Sequence, residues 1–433
     1  MSGPEGLKLG VAGLGTVGTG LLKLLEENRD LVEARAGCPV AVTAVSARDR
    51  GRDRGVSLDG MAWEDNPVAL ASRDDVDAVV ELIGGSDGDA LALVEAALGA
   101  GKPVVTANKA LLAEHGARLA ELAAANGAVL AYEAAVAGGI PVIKAIREGL
   151  SGNRLSRVYG ILNGTCNYIL TEMRATGRDF EDVLKDAQAL GYAEADPTFD
   201  VDGIDAAHKL ALLASLAFGT RPDFAALHIE GIRNISAIDI AYADEFGFKI
   251  KLLGVAERID GKISQRVRPC LVPAETPIAK VDGVDNAVVA EGDQVGRTVF
   301  EGPGAGGGPT ASAVAADIVD IAAGRGAHAF GLPADMLTTA EPYENASRCC
   351  SYYIRLNVID RPGVIADIAG VLRDQSISIE SLLQRADPDD QGTAPVVVIT
   401  HETSEGQVRA ALAGLDRLNT VLEQPHLLAI ENF

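Results

Sequence analysis

The sequence is short of basic residues and of long apolar runs, and each shortage argues against a class of protein. It has 38 lysines and arginines against 61 aspartates and glutamates, a net charge of -23. Nucleic-acid binding depends on basic contacts to phosphate, so none is expected. No apolar run reaches the roughly 18 residues that suggest a membrane helix, and no signal peptide is evident at the start. We therefore expect a soluble cytoplasmic protein without a membrane partner.

Cysteine is also scarce, which argues against a disulfide-stabilised fold. There are five cysteines in 433 residues, and no CxxC pair occurs among them. Cys349 and Cys350 are adjacent, too close for an ordinary disulfide framework. We expect all five to be reduced thiols in a reducing compartment, and the role of the adjacent pair stays open.

Short apolar runs alternate with helical patterns at the start of the chain. The strand-like runs lie at 7–12, 40–46, 77–83, 104–106 and 128–131, with helical patterns at 17–27, at 90–98 and up to 125. Such alternation predicts an α/β fold, with a parallel sheet covered by helices on both faces.

The pattern changes after residue 135. Residues 136–305 mix helical and strand-like stretches, which predicts an α+β substrate domain, and residues 326–350 have the character of a linker. From 351 to 433 the order is strand, helix, strand, strand, helix, strand. This order is the ferredoxin-like βαββαβ pattern.

A glycine-rich turn follows the first strand and opens a helix. It consists of Gly13, Leu14, Gly15, Thr16, Val17 and Gly18. In this context, G-x-G-x-x-G permits a tight turn and close approach to a pyrophosphate, which then lies at the helix N-terminus. We predict a Rossmann dinucleotide-binding domain at 1–135, completed by a helix at 306–325. A plain structural turn is the alternative.

The end of the second strand bears on the choice of cofactor. An NAD site usually has an acid there to bind the ribose hydroxyls. This chain has Ser46 and Arg48, which suit a 2′-phosphate, so we predict NADP. Asp49 keeps NAD possible, and a solvated loop charge is the alternative for Arg48.

Asp205 and Lys209 are the strongest candidates for catalysis. They are four residues apart in an apolar helical run, so they share one face of a helix. A carboxylate can hold the ammonium in place, and burial can shift the lysine pKa towards the working pH. A structural ion pair is the alternative. Lys109 follows the fourth strand, at the sheet edge where α/β folds bind ligands, although it could also simply start a helix.

An acidic loop and one cysteine are weaker candidates. Residues 191–202 contain four acids, which suggest a site for a substrate ammonium, an exposed acidic loop or a metal site. Cys166 lies in a polar turn ahead of an apolar helix, and a buried thiol is favoured over a nucleophile there.

Six motifs occur in order along the chain, and together they are far more specific than any one of them. They are Gly13–Gly18, Thr106–Lys109, Tyr132–Pro141, Asn163–Tyr168, Gly191–Pro197 and Asp202–Lys209. On these motifs, residues from about 7 to 330 resemble the homoserine dehydrogenases in their monofunctional form. Residues 353–384, with the turn at 360–363, resemble an ACT domain.

The resemblance implies a reaction and roles for its residues. The family interconverts L-aspartate 4-semialdehyde and L-homoserine with NAD(P), on the way to threonine, methionine and isoleucine. Lys209 would donate or accept the proton at the substrate oxygen, and Lys109 would polarise that oxygen and contact the cofactor. Asp205 would orient Lys209 and bind substrate. Glu194 would hold the amino-acid ammonium, and Asp200 would also bind the substrate.

The resemblance also implies binding sites for ligands. Gly191 and Gly306 would line the cofactor. A sodium ion would be held by a set of oxygen ligands from Glu133, Val136, Gly138 and Ile140, which suit a hard cation; a structural loop is the alternative. The ACT domain implies inhibition by L-threonine, or a role in assembly alone, and the family suggests a homodimer or homotetramer.

Three rival hypotheses differ in their chemistry. An aspartate-semialdehyde dehydrogenase would need a cysteine nucleophile, which the predicted chemistry does not use. Another Rossmann dehydrogenase acting on an amino acid would not require Lys109, Glu194, Asp205 and Lys209 together. A non-catalytic protein that senses NADP and an amino acid would have no use for the Asp205–Lys209 pair.

Overall fold

The computed structural model describes residues 6–385 and 392–433. The expectation about a signal peptide concerns the start of the chain, of which residues 1–5 lie outside the described part. Within the described ranges, no helix is both long and apolar enough to cross a bilayer.

The first part of the chain forms one parallel sheet. Its strands are β1 (Leu7–Ala12), β2 (Val40–Ser46), β3 (Ala62–Trp63), β4 (Ala78–Glu81), β5 (Val104–Thr106) and β6 (Leu130–Ala131). They lie in the order β3-β2-β1-β4-β5-β6, the order of a doubly wound dinucleotide-binding fold. The predicted α/β fold is confirmed, although β3 was not foreseen.

Helices cover both faces of this sheet. They are α1 (Thr16–Glu27), α2 (Arg29–Ala36), α3 (Asp89–Gly99) and α4 (Lys109–Ala125). Val79 and Val104 face one core, and Val80 and Val105 face the other, since successive side chains of a strand point to opposite faces. The helix α2, after a break at Asn28, was not predicted.

The middle of the chain forms a mixed α+β unit. Its helices are α5 (Val142–Lys144), which continues as a π-helix at Ala145–Gly149, α6 (Gly164–Thr176), α7 (Phe180–Ala189), α8 (Thr198–Val201), α9 (Ile204–Phe218) and α10 (Ala237–Glu245). Its strands are β7 (Leu155–Ile161), β8 (His228–Ile229), β9 (Phe248–Ile259), β10 (Lys262–Pro273), β11 (Asp285–Gly292) and β12 (Gly296–Pro303). The helix α11 (Gly307–Ala322) then returns to pack against α1. The backbone of Gly307 approaches Gly20 so closely that a side chain there would clash with it.

The last part has the predicted ferredoxin-like order with one short strand added. Its elements are β13 (Cys349–Ile359), α12 (Val364–Asp374), β14 (Ile379–Gln384), β15 (Thr393–Thr400), β16 (Thr403–Ser404), α13 (Glu405–Leu415) and β17 (His426–Ile430). Its sheet has the order β17-β13-β15-β14. The strand β17 also pairs in parallel with β10, through Cys270 opposite Ala429 and Leu271 opposite Ile430. The C-terminal sheet therefore continues that of the middle unit, which the sequence did not predict.

Candidate active site

The glycine-rich turn between β1 and α1 has a shape that requires glycine. Gly13 has a φ of +99°, and a Cβ there would overlap the backbone of Leu82. A Cβ on Gly18 would overlap the carbonyl oxygen of Gly13, so α1 packs directly on the turn. At Gly15, no described atom lies within 4 Å of the Cβ position, and the residue opens on a cavity. The turn thus fits a pyrophosphate next to the first N–H groups of α1.

A cavity of about 480 Å³ lies beside this turn, at the end of β2. Ser46, Arg48 and Asp49, on which the predicted choice between NADP and NAD depends, all line it. Arg52 and Arg54 line it as well, and neither was predicted. Three guanidinium groups therefore line this cavity together with four carboxylates, those of Asp49, Asp65, Asp87 and Asp89.

A second cavity, of about 580 Å³, brings together predicted residues from distant segments. Four of them carry charged side chains: Lys109, Asp200, Asp205 and Lys209. The others are predicted cofactor or cation residues: Thr16, Val17, Gly138, Gly191 and Gly306. The turn that fits the dinucleotide and the lysine–carboxylate group therefore share one space.

Asp205 holds the two lysines, one on each carboxylate oxygen. Its Oδ2 accepts a hydrogen bond from Lys209 Nζ at 2.7 Å, and its Oδ1 lies 3.0 Å from Lys109 Nζ. Lys209 Nζ also donates to the carbonyl oxygen of Leu162 at 2.6 Å. Asp205 and Lys209 are both buried in the first turns of α9, whereas Lys109 is partly exposed at the start of α4.

Burial and charge shift the pKa values of Asp205 and Lys209. Burial lowers the pKa of Lys209, and Lys109 lowers it further, while Asp205 opposes the shift. Burial alone would raise the pKa of Asp205, but the two ammonium groups hold it well below its usual range. The carboxylate therefore stays charged near neutral pH, and Lys209 releases a proton more readily than an ordinary lysine.

The acidic loop contributes only part of what was expected. Asp200 lines the second cavity, and burial raises its pKa, which a hydrogen bond from Asn163 partly offsets. Glu194 is exposed and does not line that cavity, so its substrate role stays a prediction. Cys166 is fully buried, and burial raises the pKa of its thiol well above the usual value, which opposes a nucleophilic role.

The predicted cation ligands lie on one buried loop before α5. Glu133, Val136, Gly138 and Ile140 are all buried, and Gly138 has a φ of +48°. Each carboxylate oxygen of Glu133 accepts a backbone N–H, from Ile143 at 2.9 Å and from Lys144 at 2.8 Å. Burial, with help from Asp317, raises the pKa of Glu133 to about 7. The carboxylate thus holds the start of a helix, and cation binding stays a prediction.

Two buried side chains near the cavities were not assigned a role from the sequence. Glu81, at the end of β4, accepts the N–H groups of Ile83 and Gly84 and the hydroxyl of Thr106, and so shapes the loop beside the glycine-rich turn. The sequence signal that could have identified Glu81 is an acidic residue at the end of an apolar strand. Asn163 caps α6 and lines the second cavity, and an asparagine before a helical run was its signal.

Comparison with known proteins identifies the family of the chain. Residues 13–133 match the model of the homoserine dehydrogenase NAD-binding domain, 141–319 that of homoserine dehydrogenase, and 352–417 that of the ACT domain. A homoserine dehydrogenase from Neisseria gonorrhoeae is 44% identical over 98% of this chain and 99% of its own length. The chain belongs to the homoserine dehydrogenase family.

Solved structures of homoserine dehydrogenases are similar to this one over all or most of the chain. The enzyme from Thiobacillus denitrificans superposes with a TM-score of 0.92 at 43% identity, covering 99% of this chain and 98% of that one. A hyperthermophilic archaeal homoserine dehydrogenase, in complex with NADPH, has a TM-score of 0.62 at 27% identity over 73% of this chain and 97% of its own. The chain is thus an NAD(P)-dependent oxidoreductase acting on a CH–OH group, as the motifs implied, and its C-terminal part is an ACT domain.

Proposed function

We propose that the chain reversibly reduces L-aspartate 4-semialdehyde to L-homoserine with NADP as its preferred cofactor, on the route to threonine, methionine and isoleucine. The observation that carries this proposal is the pairing of Lys109 and Lys209 with Asp205 in the cavity that Thr16 and Val17 also line. Two ammonium groups stabilise negative charge that develops on a substrate oxygen.

Lys209 is the proposed proton donor. An ammonium has three N–H groups, and those of Lys209 that bond to Leu162 and Asp205 leave one for the substrate oxygen. When bound, the reduced nicotinamide supplies the hydride that the aldehyde carbon accepts. As the carbonyl becomes an alcohol, its oxygen takes the proton of Lys209, and the neutral amine then regains a proton from water.

The remaining predicted roles complete the proposal. Asp200 would bind the substrate from the cavity wall, whereas Glu194 would first have to turn inwards from its exposed position. A sodium ion on the loop of Glu133, Val136, Gly138 and Ile140 would find hard oxygen ligands there. It would hold this loop against Gly304, where a Cβ on Gly138 would overlap the backbone. The domain boundaries and the cytoplasmic location stay predictions.

The reaction is tested by following the absorbance of NADPH with purified protein and L-aspartate 4-semialdehyde. We expect oxidation of NADPH that depends on the aldehyde, and reduction of NADP by L-homoserine in the reverse direction. The same assay with NADH measures the cofactor preference. No turnover in either direction, with either cofactor, would reject the proposed reaction.

Arg48→Ala tests the choice of NADP. If Arg48 binds the 2′-phosphate, its loss removes a charge-assisted hydrogen bond, and the KM for NADPH should rise about 10- to 100-fold. The KM for NADH should change little, because NADH has no 2′-phosphate. Arg29→Ala is the control, since Arg29 is exposed on α2 and does not line the cavity. An equal effect on both cofactors would contradict this role.

We also propose that the ACT domain binds L-threonine and that the chain forms a homodimer or homotetramer. The loop between β13 and α12 supports an effector site, because Gly363 has a φ of +98° and no described atom lies within 4 Å of its Cβ position. Calorimetric titration should show saturable binding of L-threonine, with weaker binding of L-serine. Inhibition by L-threonine that survives Gly363→Val would place the effector elsewhere.

A further inference from the structure

The turn between β7 and α6 holds both members of the buried ion pair. The carbonyl oxygen of Leu162 accepts a hydrogen bond from Lys209 Nζ, as described above. The next residue, Asn163, donates from its side-chain Nδ2 to Asp205 Oδ2 at 2.8 Å. Two consecutive residues thus fix the ammonium through a main-chain oxygen and the carboxylate through a side-chain amide.

The amide of Asn163 is fully used. Its Nδ2 also donates to Asp200 Oδ1 at 2.7 Å, so its two hydrogens serve two carboxylates. Its Oδ1 accepts the backbone N–H of Cys166 at 2.8 Å and thereby caps α6. The residue is only 4% exposed. The cap on Cys166 orients the amide so that its Nδ2 meets both acids.

We propose that Asn163 is a positioning residue for the reaction, which separates the charges of Asp200 and Asp205 and thereby holds Asp205 where it orients Lys209. This proposal rests on the proposed role of Lys209. Two carboxylates that share a site repel each other, and a donor between them stabilises both in the charged form. Without that donor, one acid would move or become protonated, and Lys209 would lose its orientation.

Asn163→Ser separates the positioning of the two acids from the capping of α6. A serine hydroxyl is also a good helix cap, but it has a single hydrogen and a shorter side chain, so it cannot serve two carboxylates. Asn163→Ala loses both functions, so its thermal stability relative to Asn163→Ser reports what the cap contributes. Asn163→Asp keeps an oxygen for the cap and adds a third carboxylate.

We expect Asn163→Ser to lower kcat about 10- to 100-fold, the loss expected for hydrogen bonds to charged groups, with a smaller change in KM for the aldehyde. Its thermal stability should fall less than that of Asn163→Ala, because the serine hydroxyl still caps α6. The acidic limb of the pH profile of kcat should move to higher pH, because the acids lose a donor to their charged forms. In Asn163→Asp the basic limb should move to higher pH, since an added negative charge favours the ammonium of Lys209.

Other titratable groups near the pair are common to all these variants. They come from α4, α6, α8 and α9 and are Lys109, Cys166, Asp200 and His208. Differences between the pH profiles therefore report the substituted side chain and its immediate partners.

The outcomes separate this proposal from the one on which it rests. Wild-type kcat and unshifted limbs in Asn163→Ser, with lowered stability in Asn163→Ala, would show that Asn163 is only a helix cap. Absence of turnover by the wild type would overturn the proposed reaction and this inference together. A lowered kcat with both limbs displaced as stated would support both.

Discussion

Lys209→Ala is expected to lower kcat for the reduction of L-aspartate 4-semialdehyde by about 10²- to 10⁴-fold, the range typical of a lost general acid. The substitution removes the proton donor and one of the two positive charges on Asp205. The KM for NADPH should change little, because the glycine-rich turn is untouched. The rate of NADPH oxidation by a folded variant is the measurement.

Lys209→Arg tests whether Lys209 transfers a proton or only supplies a positive charge. A guanidinium keeps the positive charge, but its pKa is too high for it to release a proton at neutral pH. Lys209→Arg should therefore remain strongly impaired if Lys209 transfers the proton. In the wild type, the basic limb of the rate profile should lie below the pKa of an ordinary lysine, since burial lowers the pKa of Lys209.

The Lys209→Ala experiment needs a control variant and a check that each protein is folded. Lys23→Ala removes an exposed lysine of α1 and should leave the rate unchanged. Thermal unfolding of each variant checks that the fold is retained. A normal rate in folded Lys209→Ala would keep the reaction but reject Lys209 as its proton donor.

Glu431→Gln is expected to lower the free energy of unfolding by about 3–5 kcal/mol, as when one partner is removed from a buried ion pair. Glu431 follows β17 and is only 3% exposed. It lies 3.1 Å from Arg266 Nε, 2.6 Å from Arg348 Nη2 and 3.6 Å from Arg268 Nη2. Its neutralisation leaves three buried guanidiniums with fewer carboxylates, at the junction between the ACT domain and β10. Denaturant titration measures the change.

The contribution of Glu431 to the free energy of unfolding should depend on pH. Burial alone would raise its pKa, but the three arginines lower it from 4.5 to about 2. A group whose pKa is lower in the folded state stabilises the protein above its unfolded pKa. The difference between wild type and Glu431→Gln should therefore be full above about pH 4.5 and shrink as the pH falls towards 2.

An exposed acid provides the comparison for Glu431. Glu301→Gln lies on β12, where the side chain is exposed, and should change the stability by less than about 0.5 kcal/mol. Equal stability of Glu431→Gln and wild type at neutral pH would show that the cluster tolerates the loss of this charge. The ion pairs of Glu431 would then contribute little to the free energy of unfolding.

Much of the fold could be read from local patterns. The alternation of strands and helices before residue 135 predicted the parallel sheet, and the order of elements after 351 predicted the ferredoxin-like unit. The helices α12 and α13 take the two helical places in that predicted order. In contrast, the long β9–β10 hairpin was not assigned. Its strands are buried along most of their length, yet they contain charged residues such as Lys251, Arg266 and Arg268, so polarity does not separate an inner face from an outer one.

The sequence by itself determined the glycine-rich turn, the Asp205–Lys209 pair on one helix face and the order of the ACT elements. Each depends on residues within a few positions of one another, where backbone sterics and helical periodicity act. Only the tertiary structure decided that Lys109 meets Asp205, that Asn163 lies between two acids and that β17 joins β10. These contacts join distant segments, and hydrogen bonding and burial select them only once the chain has packed.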